Sequence, residues 1–281
     1  PEDVVLTTRD GLELHATYFP SHAGKDAVPI VMLHDYKGSR HDYDVLARAL
    51  QTVKDHAVIV PDLRGHGDST KFKLPDNAPP TFRQKTIDQA RMNKNDFVAM
   101  VKSDLEAVRG FLLKENNEAR LNLNQTCVVG AGMGTVMALN WALVDWTAPR
   151  LAVGKQGQDI KALVLLSPEW NFRGLPIQTA INNQSVRSQI SVLFIYGNQD
   201  NTATRDAQRL YEHFKPNHPE ASGEVERDKK ELFDFGLKTK LQGADLLKQP
   251  ALRADAAIAA FIDLRLVDQK FEWTDRPTFG N

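Results

Sequence analysis

The sequence has little cysteine, no long apolar run and no excess of either charge. Its single cysteine, Cys127, excludes internal disulfide bonds and lies in the apolar run Thr126–Val129, which predicts an inert buried thiol. No apolar run approaches the roughly 20 residues that span a bilayer, so no membrane span is expected. Lys and Arg (35) nearly cancel Asp and Glu (36), so the charge does not favour nucleic acid as a partner.

The size and composition indicate an ordinary globular protein. The chain has 281 residues, of which 42% are hydrophobic and 25% are charged. Without repeats or a low-complexity linker, residues 1–281 are expected to form a single domain. The sequence begins at Pro1 and not at Met, so removal of an upstream segment, such as a signal peptide, is one expectation. The compartment stays open.

Strand-like and helix-like runs alternate along the chain, which predicts an α/β fold with a largely parallel sheet. The stretch between the two strands that follow the glycine-rich turn, residues 168–189, is short for a lid and predicts a small cap or none. The predicted strands are Val4–Thr8 and Leu12–Phe19 (an antiparallel hairpin), Pro29–His34, Ala57–Asp62, Thr126–Val129, Lys161–Leu166, Ile190–Tyr196 and Glu231–Leu241. The predicted helices are Tyr43–Leu50, Asp96–Glu115, Thr135–Trp146, Arg205–Phe214 and Ala251–Phe261, the last continuing to about Leu266.

The most informative stretch is the turn Val128–Gly134, between an apolar strand and a helix-forming run. This setting is typical of the nucleophile motif G-x-S-x-G. Gly130 and Gly134 match its two glycines, but the position of the serine holds Gly132. The dinucleotide-binding pattern G-x-G-x-x-G is an alternative, although Thr135 takes the place of its third glycine and no acidic residue ends a second strand about 20 residues later. A tight turn without function is the third interpretation.

Three further segments carry a family resemblance. His34–Ser39 is similar to the His-Gly oxyanion loop of the α/β-hydrolase superfamily, Pro61–Ser69 closely matches its P-D-x-R-G-H-G-x-S segment, and Tyr196–Asp200 resembles the strand end with the catalytic acid. The resemblance covers nearly the whole chain and implies a mostly parallel twisted sheet with helices on both faces. Members with this layout are mostly esterases, lipases, dienelactone-hydrolase-like enzymes and peptidases.

Ester hydrolysis on that fold needs serine, an acid and histidine in this order. The resemblance assigns these positions to Gly132, Asp200 and Gln242. The last histidine, His218, precedes the last predicted strand, and an amide cannot accept a proton near neutral pH. Nucleophile and base are therefore both absent from their positions. The elbow residue is expected to have a positive φ, which glycine adopts freely.

The region around the turn is the candidate pocket. The backbone N–H groups of Met133 and of Asp35 or Tyr36 should still point at one spot near Gly132, where they would bind an anion, a carboxylate or water. The further candidates for the lining are His34, Ser167 and Trp170. The spacing of the histidines and aspartates near the predicted strand ends fits no ligand motif, so neither a metal nor a cofactor is expected.

The sequence therefore favours a non-catalytic α/β-hydrolase-like protein that binds a small ligand or a protein partner. The alternative is a hydrolase with an unconventional constellation, such as Asp200 with a water molecule, or Ser167. A third hypothesis is a scaffolding protein whose pocket is filled by its own side chains.

Overall fold

The strands define the architecture of the protein. The computed structural model describes residues 1–74, 79, 84–149, 154–218 and 229–277. Within these ranges the strands are β1 (Glu2–Thr7), β2 (Glu13–Phe19), β3 (Pro29–Leu33), β4 (Ala57–Pro61), β5 (Thr126–Ala131), β6 (Ile160–Leu166), β7 (Asn171–Phe172), β8 (Leu175–Pro176), β9 (Ser191–Gly197) and β10 (Leu232–Leu237). One sheet has the order β1-β2-β4-β3-β5-β6-β9-β10, and β7 pairs with β8 separately.

The pairing in the large sheet explains the position of the loops. The hairpin β1–β2 is antiparallel and β2 joins β4 antiparallel, whereas β4, β3, β5, β6, β9 and β10 run parallel to one another. Every residue of β3, β4 and β5 is buried, as expected for strands covered on both faces. The loops that follow β3, β5, β6 and β9 consequently meet at the carboxyl edge of the sheet.

Helices cover both faces of the sheet. They are α1 (Asp44–Lys54), α2 (Lys94–Ala99), α3 (Leu105–Asn117), α4 (Met133–Thr147), α5 (Gln178–Asn182), α6 (Gln184–Gln189), α7 (Asn201–Phe214) and α8 (Ala254–Ile262). Two hydrophobic clusters lie on opposite faces: one includes α3, α4 and α7, and the other includes α1 and α8. The predicted mostly parallel α/β fold is confirmed. None of the described helices is long and apolar enough to cross a membrane.

The predicted helix Asp96–Glu115 is interrupted. A π-helical turn, Met100–Asp104, separates α2 from α3. The wider turn accompanies two polar contacts that a uniform amphipathic pattern does not reveal: Ser103 donates to Asp10 and Asp104 pairs with Arg64. Such π-bulges within α-helices are frequent at functional sites.

The segment between β6 and β9 is a small cap. It contains the strand pair β7–β8 and the short helices α5 and α6, which pack on α4. This agrees with the expectation of a small cap. The polar stretch from about Thr70 to Lys94 lies partly outside the described residues.

Candidate functional site

The glycine-rich turn joins β5 to α4 at the carboxyl edge of the sheet. Gly132 lies between the two elements with φ +47° and ψ −113°. This conformation strains residues with a Cβ, so a glycine is suited to the position. The preceding Gly130 packs so closely on Gly134 that an added Cβ would overlap its backbone. The turn thus has the sharp strand-to-helix geometry that the sequence predicted.

The carboxylate of Asp35 lies against this turn. Its Oδ1 accepts hydrogen bonds from the N–H of Met133 (2.8 Å) and from the N–H of Tyr36 (2.6 Å). An ideal Cβ added to Gly132 would overlap the same carboxylate. The two backbone donors therefore point at one spot, and the group that they bind is a side chain of the protein itself.

The sequence interpretation missed this role of the Asp35 side chain. The signal was the replacement of the loop glycine: the resembling His-Gly loop has glycine where this chain has Asp35 after His34. The expected donors were the N–H of Met133 and that of Asp35 or Tyr36. The side chain of Met133 is fully buried in the core, so this residue contributes its N–H alone.

A second carboxylate lies close enough to interact electrostatically with the first. Burial raises the pKa of Asp35, while the N–H groups of Met133 and Tyr36 oppose this shift. Burial, followed by the charges of Asp35 and Asp206, raises the pKa of Glu169 to about 7. Both shifts favour the neutral form of the carboxyl group, since burial disfavours its charge and, at Glu169, the carboxylate of Asp35 repels it. A carboxylate at this place is the opposite of what stabilises a developing oxyanion.

Two histidines lie behind the Asp35 loop. The Nε2 of His34 accepts from the N–H of Leu63 (2.9 Å), so its Nδ1–H donates to the carbonyl of Asp35 (2.7 Å). Burial lowers the pKa of His34 to about 4, and the ring is neutral near pH 7. His66 lies 5.0 Å from His34 between ring centroids, and burial lowers its pKa as well. With both nitrogens of His34 bound to backbone, this imidazole is a structural group.

Gln242 and Ser167 form a closed set of hydrogen bonds. Ser167 Oγ donates to Gln242 Oε1 (2.6 Å) and accepts from the N–H of Gly243 (2.8 Å). The amide Nε2 of Gln242 donates to the carbonyl of Gly197 (2.9 Å), and its Oε1 also accepts from the N–H of Gly197 (3.2 Å). Ser167 has φ +50°, a strained value for a serine. This partnership, 75 residues apart in sequence, gives the Ser167 hydroxyl a structural task.

The loop that carries Gln242 reaches the Asp35 carboxylate. An ideal Cβ on Gly243 would lie 3.6 Å from Asp35 Oδ2. The loop after β10 and the elbow are therefore neighbours.

Asp200 begins α7. Its Oδ1 accepts hydrogen bonds from the N–H groups of Thr202 and Ala203, both at 2.9 Å. This cap starts the helix at Asn201, four residues before the predicted start at Arg205. Gln242 hydrogen-bonds to Ser167 and to Gly197, which ends β9 three residues before Asp200. The hydrogen bonds given for Asp200 and Gln242 therefore go to different partners.

Arginine side chains stack on two aromatic rings in the loops at the carboxyl edge of the sheet. The guanidinium of Arg209 lies 3.4 Å from the ring centroid of Trp170, and that of Arg173 lies 4.2 Å from the centroid of Tyr36. The ring of Tyr36 is also 5.5 Å from that of Phe172 in the cap. Cation–π stacking of this kind holds both rings in defined orientations.

The segment after β4 holds the loops together. The carboxylate of Asp62 accepts from the N–H and the guanidinium of Arg40. Arg64 pairs with Asp10 (2.6 Å) on one side and with Asp104 (2.6 Å) on the other. Within the described ranges, no group of three His, Cys, Asp or Glu side chains is arranged to hold a metal ion.

The comparisons with known proteins identify the fold family. A family model of the alpha/beta hydrolase fold matches residues 28–180, which is more than half of the chain. The chain belongs to the alpha/beta hydrolase fold family. No curated protein matches this alpha/beta hydrolase significantly in sequence.

Solved structures show the same fold at low sequence identity. An esterase from Pyrococcus furiosus has a TM-score of 0.63 and 16% identity, over 94% of this chain and 91% of the esterase. An esterase from Pyrobaculum calidifontis has a TM-score of 0.61 and 15% identity, with coverages of 93% and 84%. For an esterase from Exiguobacterium antarcticum the TM-score is 0.56 and the identity 14%, with coverages of 93% and 100%. At these identities the likeness concerns the fold of the alpha/beta hydrolase alone.

Proposed function

We propose that this alpha/beta hydrolase is a non-catalytic member of its family, which uses the loops at the carboxyl edge of the sheet to bind a small ligand or a protein partner. The observation that carries the proposal is the carboxylate of Asp35, bound by the N–H groups of Met133 (2.8 Å) and Tyr36 (2.6 Å) beside Gly132. Ester hydrolysis needs a nucleophile, oxyanion donors and a base.

The nucleophile has no room at the elbow. Gly132 supplies no hydroxyl, and a side chain there would overlap the carboxylate of Asp35. A serine would therefore have to displace a group that holds two hydrogen bonds.

The oxyanion donors are already occupied. In acyl transfer such donors stabilise the charge that develops on the carbonyl oxygen, and loss of one of them lowers kcat about 10²–10³-fold. Here Asp35 takes both donors and adds a negative charge where the oxyanion would form. Glu169 adds to the same potential when it is ionised, since its charge interacts with that of Asp35.

The base position also lacks the chemistry. Gln242 is an amide, and both ends of it bind Gly197 or Ser167. An imidazole is needed to take the proton of a serine and return it to the leaving group. The three features together support a site that binds without turnover.

The anion that the sequence placed near Gly132 is, in this proposal, the Asp35 carboxylate. A ligand that entered the region would meet this carboxylate, Glu169 and the aromatic faces of Tyr36 and Trp170. The two carboxylates disfavour an anionic ligand, whereas the guanidinium groups of Arg173 and Arg209 already lie on the two rings and would compete with a cationic one.

A hydrolase with an unconventional constellation is the second candidate. Its support is the fold likeness to the esterases and the strained φ of +50° at Ser167. The same Ser167 hydroxyl donates to Gln242 and not to an imidazole, so it would lack an activating base.

An assay on short-chain activated esters decides between the two candidates. For the unmodified protein we expect no turnover above the buffer background, and the same result for Ser167→Ala and Asp200→Ala. Turnover in the unmodified protein that either substitution abolishes would overturn the non-catalytic proposal. Turnover that persists in all three variants, Ser167→Ala, Asp200→Ala and Asp35→Asn, indicates a contaminating enzyme.

A further inference from the structure

A segment without helix or strand follows the last helical turn and lies along the opposite edge of the sheet. We call residues 271–277 the strap. It rests on residues 116–124, which precede β5, and on residues 155–159, which precede β6. This is the amino edge of the parallel strands, whereas the elbow and Asp35 lie at the carboxyl edge. The strap is therefore separate from the candidate site.

Four asparagine side chains bind the backbone of the strap. Each donates from its amide nitrogen to a carbonyl oxygen, and the distances lie between 2.7 and 3.0 Å. The pairs are Asn122 with Phe271, Asn124 with Glu272, Asn116 with Thr274 and Asn117 with Arg276. Asn117 Oδ1 also accepts from the N–H of Arg276 (3.1 Å). Such contacts bind an extended chain regardless of its side chains.

Arg276 supplies the specific anchor. Its side chain is buried and pairs with Asp159, itself only 2% exposed, and with the carbonyl oxygen of Asn124's side chain. A second guanidinium nitrogen donates to the carbonyl of Lys155 (3.2 Å). Asp159 also pairs with Arg109 (3.1 Å) and Lys155 (3.2 Å), so Arg276 is one of three cations around this buried carboxylate and the one that the strap supplies.

Trp273, three positions before Arg276, provides a second fixed side chain. Its Nε1–H donates to the carbonyl of Asn116 (3.2 Å), and the ammonium of Lys25 lies 3.9 Å from its ring centroid. A cavity of about 450 Å³ borders Trp273, Phe271 and Lys25. This cavity lies between the strap and the surface formed by Lys25, Asn122 and Gln125.

The hydrophobic core hardly depends on the strap. Among the strap residues only Phe271 packs against a core cluster, and Glu272, Thr274 and Asp275 are exposed. The strap thus has backbone hydrogen bonds and two anchoring side chains, as a bound peptide has, and little apolar burial, which would mark a core segment.

We infer that residues 116–124 and 155–159 form a peptide-binding groove whose resident ligand is the strap. The groove takes an extended peptide with a tryptophan and, three positions later, an arginine. The strap is an intramolecular ligand that the same sequence can replace in trans. This inference does not depend on the proposed function.

The test uses the full chain with a protease site introduced at residues 268–270, which form an exposed turn before the strap. After folding and cleavage, an excess of a fluorescent peptide of residues 270–277 is added. We expect the peptide to replace the cleaved strap and the emptied chain to keep its circular dichroism and cooperative urea unfolding. An Arg276→Ala peptide should bind at least tenfold more weakly, whereas a Glu272→Gln peptide should bind within twofold, because only the backbone of Glu272 is bound.

Two outcomes would overturn the inference. If the cleaved chain unfolds when the strap leaves, or never exchanges it, the strap is an integral part of the fold. If the Arg276→Ala peptide binds as well as the parent peptide, the anchor assignment and with it the recognition site are wrong. An Asp159→Asn variant of the cleaved chain provides the reciprocal measurement, with weaker binding of the parent peptide expected.

Discussion

The carboxylate of Asp35 and the Cα of Gly132 share one small space, since a Cβ on Gly132 would overlap the carboxylate. The two residues come from loops at the ends of β3 and β5, 97 positions apart. Gly132 leaves the room, and Asp35 uses it to bind the N–H groups of Met133 and Tyr36. A side chain at position 132 would collide with Asp35. Without the Asp35 carboxylate, the two N–H donors would lose that acceptor.

The first prediction concerns the stability cost of a side chain at position 132. Gly132→Ala should lower the free energy of unfolding by about 2–4 kcal/mol, from the strained φ of +47° and the displaced carboxylate. Gly11→Ala is the matched control, because Gly11 has φ +86° with open space around it. It should cost only about 1 kcal/mol, through strain alone. Urea unfolding measures the loss of unfolding free energy in both variants. Equal losses would mean that the Asp35 side chain moves away from the new Cβ without a cost.

The collision also predicts coupling between the two positions. In the double variant Asp35→Gly/Gly132→Ala, the alanine should cost about 1 kcal/mol less than it does beside Asp35. A double-mutant cycle of unfolding free energies measures this difference. Strict additivity would contradict the shared space.

The second prediction concerns restored chemistry. Gly132→Ser with Gln242→His should stay inactive, because Asp35 still occupies the oxyanion donors. The triple variant with Asp35→Gly should hydrolyse short-chain activated esters weakly, once the Asp200 carboxylate turns from α7 to the new imidazole. Members of a triad act as a unit, so each single variant should show almost nothing. Steady-state assays with Asp200→Ala in the triple background provide the control, and an active double variant would contradict the blocked oxyanion hole.

The third prediction concerns pH. Burial, Asp35 and Asp206 raise the pKa of Glu169 from its ordinary 4.5 to about 7. The fold therefore favours the protonated form, and this stabilising contribution, complete below pH 4.5, is lost as the pH rises to 7. Glu169→Gln should resemble the unmodified protein at pH 5 and be more stable by about 1–2 kcal/mol at pH 8, a value reduced for solvent screening. Urea unfolding at both pH values tests this, and a stability difference that does not change with pH would refute it.

The fourth prediction concerns the pair Ser167 and Gln242. Gln242→Ala removes the acceptor of the Ser167 hydroxyl proton and the amide that donates to the carbonyl of Gly197, and it should cost about 1–3 kcal/mol. Asn198, in the neighbouring exposed loop, offers a control: Asn198→Ala loses only a 3.5 Å contact to Gly236 and should cost less than 0.5 kcal/mol. Thermal and urea unfolding should rank the two variants in this order. A reversed order would mean that the Ser167–Gln242 contact contributes little.

The order of the elements could be predicted from the sequence because buried parallel strands read as short apolar runs. The runs Ala57–Asp62 and Lys161–Leu166 coincide with β4 and β6 to within a residue. The interruption at Met100–Asp104 could not be predicted, since the apolar spacing continues through it. The last strand ends at Leu237 and not at Leu241, and beyond it the carbonyl of Thr239 accepts from the N–H of Gln199.

The glycine at the elbow was visible in sequence, but its partner was not. A local sequence pattern identifies Gly132, because the whole turn is contained in seven consecutive residues. The contact with Asp35 depends on where the loop after β3 points its side chain, and that is decided by packing across the sheet. The strap escaped prediction for a similar reason: residues 271–277 have no apolar period, and their partners are asparagines about 150 positions earlier.

The pairing of Asp35 with Gly132 also constrains which substitutions the two positions accept. A serine at position 132 would meet the carboxylate, and removal of the carboxylate alone would take the protein acceptor from the N–H groups of Met133 and Tyr36. Each substitution alone therefore costs stability. The two positions, far apart in the sequence, are expected to vary together and not one at a time.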